Sequence, residues 1–94
     1  MKPIRLSDHA RRRALLRGAS EEEVKETVAR APREPARRGK WQARSRCAYG
    51  GRSPIDGRRY GGKTVEVVFA EESDEVVVVT VKVYYAGRED CGEN

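Results

Sequence analysis

The sequence is poor in the residues that build common metal and nucleophile sites. Its 94 residues include one histidine, His9, and two cysteines, Cys47 and Cys91, which lie far apart in the chain. Such a set cannot supply the closely spaced ligands of a structural zinc site, and it forms no disulfide framework. No Ser/His/Asp arrangement for nucleophilic catalysis is recognisable around His9. We therefore predict no metal and no cofactor.

Long apolar runs are also absent. No stretch approaches the roughly 18 apolar residues of a transmembrane helix, and residues 1–6 lack the apolar segment of a secretory signal. We expect a cytoplasmic protein with no membrane contact. Hydrophobic residues make up 37% of the chain, which predicts a thin core. We expect a single domain over residues 1–85 and a frayed polar tail over residues 86–94.

Basic residues outnumber acidic ones, but they are unevenly distributed along the chain. Residues 1–63 carry 18 basic against 7 acidic side chains, whereas residues 64–94 carry 2 against 8. Fifteen of the basic residues are arginines, whose planar fork suits phosphate groups. This asymmetry predicts a part of the protein that binds a polyanion such as RNA. The alternative is compositional, with arginine supplied by a GC-rich genome or by heat adaptation and spread over solvated faces.

The first third of the chain predicts a short strand and two helices. The strand covers residues 3–6. A helix follows over Asp8–Arg17 and ends at Gly18, a residue typical of helix C-termini. Ser20 opens a second helix with a capping box, and Pro32 ends it. We interpret residues 33–39 as a polar connector.

From residue 40 the hydrophobic pattern changes to the period of two that is typical of strands. One face of the next strand comprises Trp41, Ala43, Ser45, Cys47 and Tyr49. A long loop over residues 50–63 precedes a strand whose inward residues are Val65, Val67 and Phe69. The last strand is predicted to turn its odd positions inward: Val77, Val79, Val81, Val83 and Tyr85. The order β-α-α-β-β-β predicts an α+β fold, with both helices on one face of a small antiparallel sheet.

A stripe on the first predicted helix is the first candidate site. His9, Arg13 and Arg17 recur at intervals of four residues, beside Ala10 and Ala14. The small alanines place the stripe at the seam between helix and sheet. There the arginines would bind a phosphate, and His9 would act as general acid or base. In the alternative, His9 bonds nearby backbone and the arginines pair with glutamates or carbonyls.

The sheet face away from the helices is the second candidate site. Its predicted members are Arg44, Arg46, Glu66, Thr80, Lys82 and Tyr84. This mixture of arginine, lysine, tyrosine and one carboxylate suits RNA cleavage without a metal, in which a base activates a ribose 2′-hydroxyl, arginine or lysine holds the phosphate, and an acid protonates the leaving oxygen. In the alternative, this is a solvated face with ion pairs such as Glu66–Lys82.

The third candidate is the glycine-flanked basic loop before the central strand. Arg58, Arg59, Tyr60 and Lys63 surround one aromatic ring with positive charge. Such a segment can hold a nucleic-acid backbone and stack a base. In the alternative, it is a flexible connection with solubilising charge.

Several short motifs resemble those of one family. They are His9-Ala10-x-x-Arg13, then Arg17-Gly18, Ser20-Glu21-Glu22-Glu23-Val24 and Pro32, and later Gly57-Arg58, Lys63-Thr64-Val65-Glu66-Val67-Val68-Phe69 and Val78-Val79-Thr80-Val81. Over residues 4–85 the chain resembles a family of domains of unknown function, DUF4258. The resemblance implies the α+β fold of the RelE and barnase-like ribonucleases, to which BrnT-type toxins are related. It also implies His9, Arg13, Arg17 and Thr80 as site positions.

Three functions are consistent with these observations. The first is a metal-independent endoribonuclease of the toxin type. The second is a non-catalytic nucleic-acid-binding module. The third is a protein–protein module that pairs with an acidic, antitoxin-like partner. The sequence leaves open whether the centre of chemistry is the helix-one seam or the open sheet face.

Overall fold

Two helices and five strands form the part of the chain that this computed structural model describes, residues 2–48 and 51–86. In chain order they are β1 (Ile4–Leu6), α1 (Asp8–Arg17), α2 (Glu21–Arg30), β2 (Arg33–Pro35), a short 3-10 turn (Arg37–Gly39), β3 (Trp41–Ala48), β4 (Gly62–Glu71) and β5 (Val76–Ala86). The predicted α+β class is confirmed, as is the order of one strand, two helices and then strands, and the structure adds one short strand, β2, to the predicted set. The predicted tail lies outside the described residues from residue 87 onward.

The five strands form one mixed sheet in the order β1-β5-β4-β3-β2. β1 runs parallel to β5, and the other neighbouring strands are antiparallel, so the sheet is mixed and not wholly antiparallel as predicted. β2 is a short edge strand where the sequence predicts only a connector. Pro35 is tolerated there because an edge strand has one side without a sheet partner.

Both helices begin and end at the residues that the sequence marks. The Ser7 hydroxyl accepts a hydrogen bond from the backbone N–H of Ala10, and Gly18 ends α1 in the left-handed conformation. Ser20 and Glu23 form the predicted capping box at the start of α2. α1 packs on β5 and α2 on β4 and β3, so both lie on the same face of the sheet. Neither of these helices is long or apolar enough to cross a membrane.

The core between helices and sheet is built mostly from valine and alanine. Ala10 and Ala14 are buried on α1, which allows close approach to β5. Val24 and Val28 of α2 are buried, and Phe69 of β4 is fully buried beneath them. Small side chains bury little area each, so the free energy of unfolding rests on many modest contributions.

A β-bulge makes β5 differ from its predicted alternation. Val68 pairs with Thr80, but Phe69 pairs with Val78, so Val79 is an extra residue in β5. An extra residue exchanges the two faces of a strand. Before the bulge Val76 and Val78 are buried instead of the predicted odd positions, and after it Val81, Val83 and Tyr85 face the core as predicted. The prediction that Val77 and Val79 lie on the buried face is therefore wrong.

The register of β3 confirms its predicted two faces. Trp41, Ala43, Ser45 and Cys47 pair with the inward residues of β4, while Tyr49 lies outside the described residues. Gln42, Arg44 and Arg46 consequently point to the opposite side. Across the described residues no helix covers that side of the sheet, and we call it the open face.

Candidate functional site

Three cross-strand rows of side chains make up the centre of the open face. The register aligns Arg46, Thr64 and Tyr84 in the first row, Arg44, Glu66 and Lys82 in the second, and Gln42, Val68 and Thr80 in the third. Successive rows are about 7 Å apart along the strands. The structure thus brings together every residue that the sequence assigned to this face.

Glu66 occupies the centre of the second row, between two cations. Arg44 Nη2 lies 3.9 Å from Glu66 Oε2, at the outer limit of an ion pair. The Glu66 side chain is only 13% exposed, whereas that of Arg44 is 63% exposed. Lys82 lies opposite Glu66 in the backbone register of β5 on β4, and its side chain is exposed and forms no ion pair with Glu66. A carboxylate held among cations can accept a proton from a ligand whose negative charge those cations bind.

Tyr84 gives the open face an accessible aromatic ring. It is 51% exposed, and it lines a cavity of about 320 Å³ with Arg44, Thr64 and Glu66. Arg46, in the same row as Tyr84, is exposed. An exposed ring beside an unpaired cation can stack a nucleobase whose phosphate that cation binds.

A cationic turn, within the segment that the sequence predicts to be a connector, extends the open face beyond the third row. Residues 37–40 place Arg37, Arg38 and Lys40 around a groove of about 790 Å³. Gln42, Val68 and Lys82 line the same groove from the sheet. The signal that would have identified these residues is the basic run Arg37-Arg38-Gly39-Lys40 immediately before a strand with alternating cations.

Several cations outside the open face are neutralised by carboxylates, although Arg12, Arg13 and Arg17 of α1 also have no acidic partner among the described residues. Glu71 binds both Lys2 and Arg33, and hydrogen bonds from these two cations lower the pKa of its carboxyl. Other ion pairs of the described residues are Arg5–Glu75, Arg11–Glu21, Lys25–Glu21 and Arg30–Glu26. Within the described part of the chain, five open-face cations have no such acidic partner: Arg37, Arg38, Lys40, Arg46 and Lys82.

The helix-one stripe is not at the seam where the sequence placed it. His9 and Arg13 are exposed, Arg17 is half-buried, and Ala10 and Ala14 occupy the contact with the sheet. This outcome follows from the close approach that the alanines allow, which leaves no space for larger side chains beneath α1.

Thr80 does not join that stripe. It pairs with Val68 on the open face, whereas α1 packs on the opposite side of the sheet. The four positions implied by the family resemblance are therefore divided between two surfaces. Only Thr80 of the four lies with the carboxylate and the unpaired cations of the open face.

The basic loop is an ordered turn over its described part, residues 51–61. Backbone hydrogen bonds join Ser53 to Arg58 and Gly57 to Ser53. The Tyr60 hydroxyl donates to Asp56, which raises the pKa of Tyr60 and lowers that of Asp56. The Tyr60 ring also packs at 5.6 Å from that of Tyr85. Arg58 and Arg59 are exposed, but Tyr60 is already engaged within the protein.

Lys63 lies beneath the helices and not in the exposed loop. It is 5% exposed, and its Nζ donates to the Gly18 carbonyl and to Glu23, each at 3.0 Å. Residues 57–64 match the spacing of a phosphate-binding loop that ends in Gly-Lys-Thr. That motif works where a loop leads into a helix N-terminus. Here it leads into β4 and its lysine is occupied, so this segment is not such a loop.

By its fold and its open face, this is a small α+β protein with a basic sheet surface. The chain belongs to the family described as a domain of unknown function (DUF4258), which matches residues 6–83. No curated protein and no solved structure matches the chain.

Proposed function

We propose that this protein binds RNA on its open face and cleaves it without a metal ion. The observation that carries the proposal is the position of Glu66, a poorly exposed carboxylate in register with Arg44 on one side and Lys82 on the other. The relation to RelE and BrnT-type toxins that the sequence suggests agrees with this assignment. We place the centre of chemistry on the open face and not on α1.

The proposed reaction is a transesterification within the RNA. Glu66 accepts the proton of a ribose 2′-hydroxyl, whose oxygen attacks the neighbouring phosphorus. Arg44, Arg46 and Lys82 neutralise the charge that develops on the phosphate oxygens. The bond to the 5′-oxygen breaks, and Tyr84 protonates that leaving oxygen. The products are a 2′,3′-cyclic phosphate and a 5′-hydroxyl, so atoms and electrons balance without water or metal.

The substitution Glu66→Gln tests this proposal directly. It keeps the size of the side chain but removes the proton acceptor. In the presence of EDTA, the native protein should cut a fluorescent single-stranded RNA. The Glu66→Gln variant should bind the same RNA at least as tightly, but its cleavage rate should be lower by a factor of about 100 or more. Arg30→Ala on α2, remote from the open face, serves as the control and should cut normally. Native-rate cleavage by Glu66→Gln would overturn the assignment of Glu66.

A non-catalytic binding module is the second candidate. It is favoured by one observation: the single histidine of the chain lies on α1, so the open face lacks the imidazole that general acid–base catalysis most often uses. The same RNA experiment distinguishes the two, because a module of this kind binds RNA with strong salt dependence and leaves it intact.

An acidic, antitoxin-like protein is the partner that the open face would also accept. Carboxylates of such a protein would occupy the positions proposed for RNA phosphates. If so, the partner should co-purify at low salt and should inhibit RNA binding in proportion to its concentration. Simultaneous binding of RNA and the partner would contradict a shared surface.

A further inference from the structure

We propose that the groove between the 37–40 turn and the third row is a subsite for an unpaired nucleotide of single-stranded RNA, next to the nucleotide held at Glu66. This inference rests on the proposed function of the open face and deepens it by naming the substrate class. The groove is lined by the three turn cations and by Gln42, Val68 and Lys82. Lys82 belongs to both the second row and the groove, so a strand bound at Glu66 continues into it.

The turn is built to display its cations. The Ala36 N–H donates to the Lys40 carbonyl at 2.8 Å, and the Lys40 N–H donates to the Arg37 carbonyl at 3.1 Å. These two bonds close the backbone around Arg38, which has φ 60° and ψ 39°, the left-handed conformation. Arginine is unfavourable there, and glycine or asparagine is preferred. The hairpin turn that joins β2 to β3 needs a left-handed backbone at both central residues, Arg38 and Gly39, which has φ 72°. The turn thereby presents the unpaired cation of Arg38 to the groove.

The floor of the groove is suited to a base face. Pro35, Ala36 and Val68 contribute apolar surface among the cations. A base exposes its faces only when it is unpaired and unstacked, so this floor distinguishes a single strand from a duplex. The cations would hold the backbone phosphate of the same nucleotide.

Gln42 supplies a hydrogen-bonding group of fixed orientation at the groove. Its Nε2 donates to Glu34 Oε1 at 2.9 Å. Because an ionised carboxylate only accepts hydrogen bonds, the amide nitrogen stays on the Glu34 side and the amide oxygen remains available. That oxygen can accept a hydrogen bond from an amino or ring N–H group of a base. The groove therefore combines a phosphate site, an apolar floor and a base-edge acceptor.

The experiment measures binding against oligonucleotide length. Fluorescence anisotropy would use 2′-O-methyl oligonucleotides of two, four and eight residues, which lack the attacking hydroxyl and so report binding alone. The native protein should bind the tetranucleotide at least about tenfold more tightly than the dinucleotide. Arg38→Asn, which suits the left-handed backbone, should lose most of that gain while its dinucleotide affinity stays unchanged. A duplex of eight base pairs should compete about tenfold less well than the single strand.

The two proposals fail in different ways. If the open face does not bind RNA, Arg46→Gln will leave the affinity for every length unchanged. If only the groove assignment is wrong, Arg46→Gln will weaken RNA binding. The affinities of the Arg38→Asn variant and of the native protein will then increase equally with oligonucleotide length. Arg30→Ala is the matched control for the loss of one exposed arginine, and it should follow the native length dependence.

Discussion

The Nζ atom of Lys63 lies 3.0 Å from the carboxylate of Glu23, and the lysine is buried although the glutamate is not. The same Nζ donates to the Gly18 carbonyl at the end of α1. One cation thereby joins the C-terminus of α1 to the first turn of α2 and fixes both on β4. Cys47, directly opposite in the sheet, lies against the same carboxylate at 4.0 Å.

Truncation of this lysine should destabilise the fold. Lys63→Ala leaves Glu23 and the Gly18 carbonyl without their donor and opens a cavity, so we expect a loss of about 3 kcal/mol in the free energy of unfolding. Lys63→Met, which keeps the volume, should lose less. Urea denaturation measures both. Lys25→Ala, which removes an exposed lysine paired with Glu21, should cost less than about 0.5 kcal/mol. Equal losses for the two lysines would contradict a special role for Lys63.

The stability of the protein should fall on acidification in a way that depends on Glu23. Partial burial alone would raise the pKa of Glu23, but hydrogen bonds from Ser20 and Lys63 outweigh this and hold the pKa below its ordinary value. A group with a lowered folded pKa contributes stability above its unfolded pKa of about 4.3, and loses it as the pH falls through the folded value. Urea midpoints between pH 7 and pH 3 should therefore drop less steeply for Glu23→Gln than for the native protein.

Substitutions at Gly18 and Tyr85 should have non-additive effects on the free energy of unfolding. The Tyr85 hydroxyl donates to the Arg17 carbonyl at 2.6 Å, and a methyl group on Gly18 would collide with that hydroxyl. Gly18 also has φ 87°, which alanine adopts only with strain. We expect Gly18→Ala to cost about 2–3 kcal/mol and Tyr85→Phe about 1 kcal/mol. In a double-mutant cycle, Gly18→Ala should cost less in the Tyr85→Phe background. Strict additivity would show that the hydroxyl is not the obstacle.

The sequence predicted the fold well where local signals and burial agree. Ser7, Gly18 and the capping box at Ser20 define the helices by interactions within a few residues. The two faces of β3 were predictable because its period of two is unbroken. The bulge at Val79 was not predictable, because an all-valine segment carries no polar residue to indicate which side faces the core.

The candidate site was predictable in part, for reasons of distance along the chain. Alternation alone placed Arg44 and Lys82 on one face, but their alignment beside Glu66 depends on the register of three strands. The burial of Lys63 depends on Glu23, forty residues away, which no local pattern reveals. The 37–40 turn was missed because a short basic run beside prolines is typical of a connector.

Arg38 should be replaceable with a gain in stability. Its left-handed backbone favours asparagine over arginine, so Arg38→Asn should raise the free energy of unfolding by about 0.5–1 kcal/mol. Arg38→Val, a β-branched residue for which this conformation is far less favourable, should lower it by about 1–2 kcal/mol. Thermal unfolding distinguishes these variants. Destabilisation by Arg38→Asn would mean that the arginine side chain itself supports the fold.

Salt should weaken RNA binding in proportion to the number of open-face cations engaged. Each phosphate contact on a single strand contributes a slope of about −0.7 to the plot of log affinity against log salt. The open face presents five cations without an acidic partner among the described residues, so an octanucleotide that engages all five should give a slope of about −3.5. Arg46→Gln should reduce its magnitude by about 0.7, because one phosphate contact is lost. Arg30→Gln on α2 should not change it. A slope near zero, or an equal change for both variants, would show that phosphates are not bound on this face.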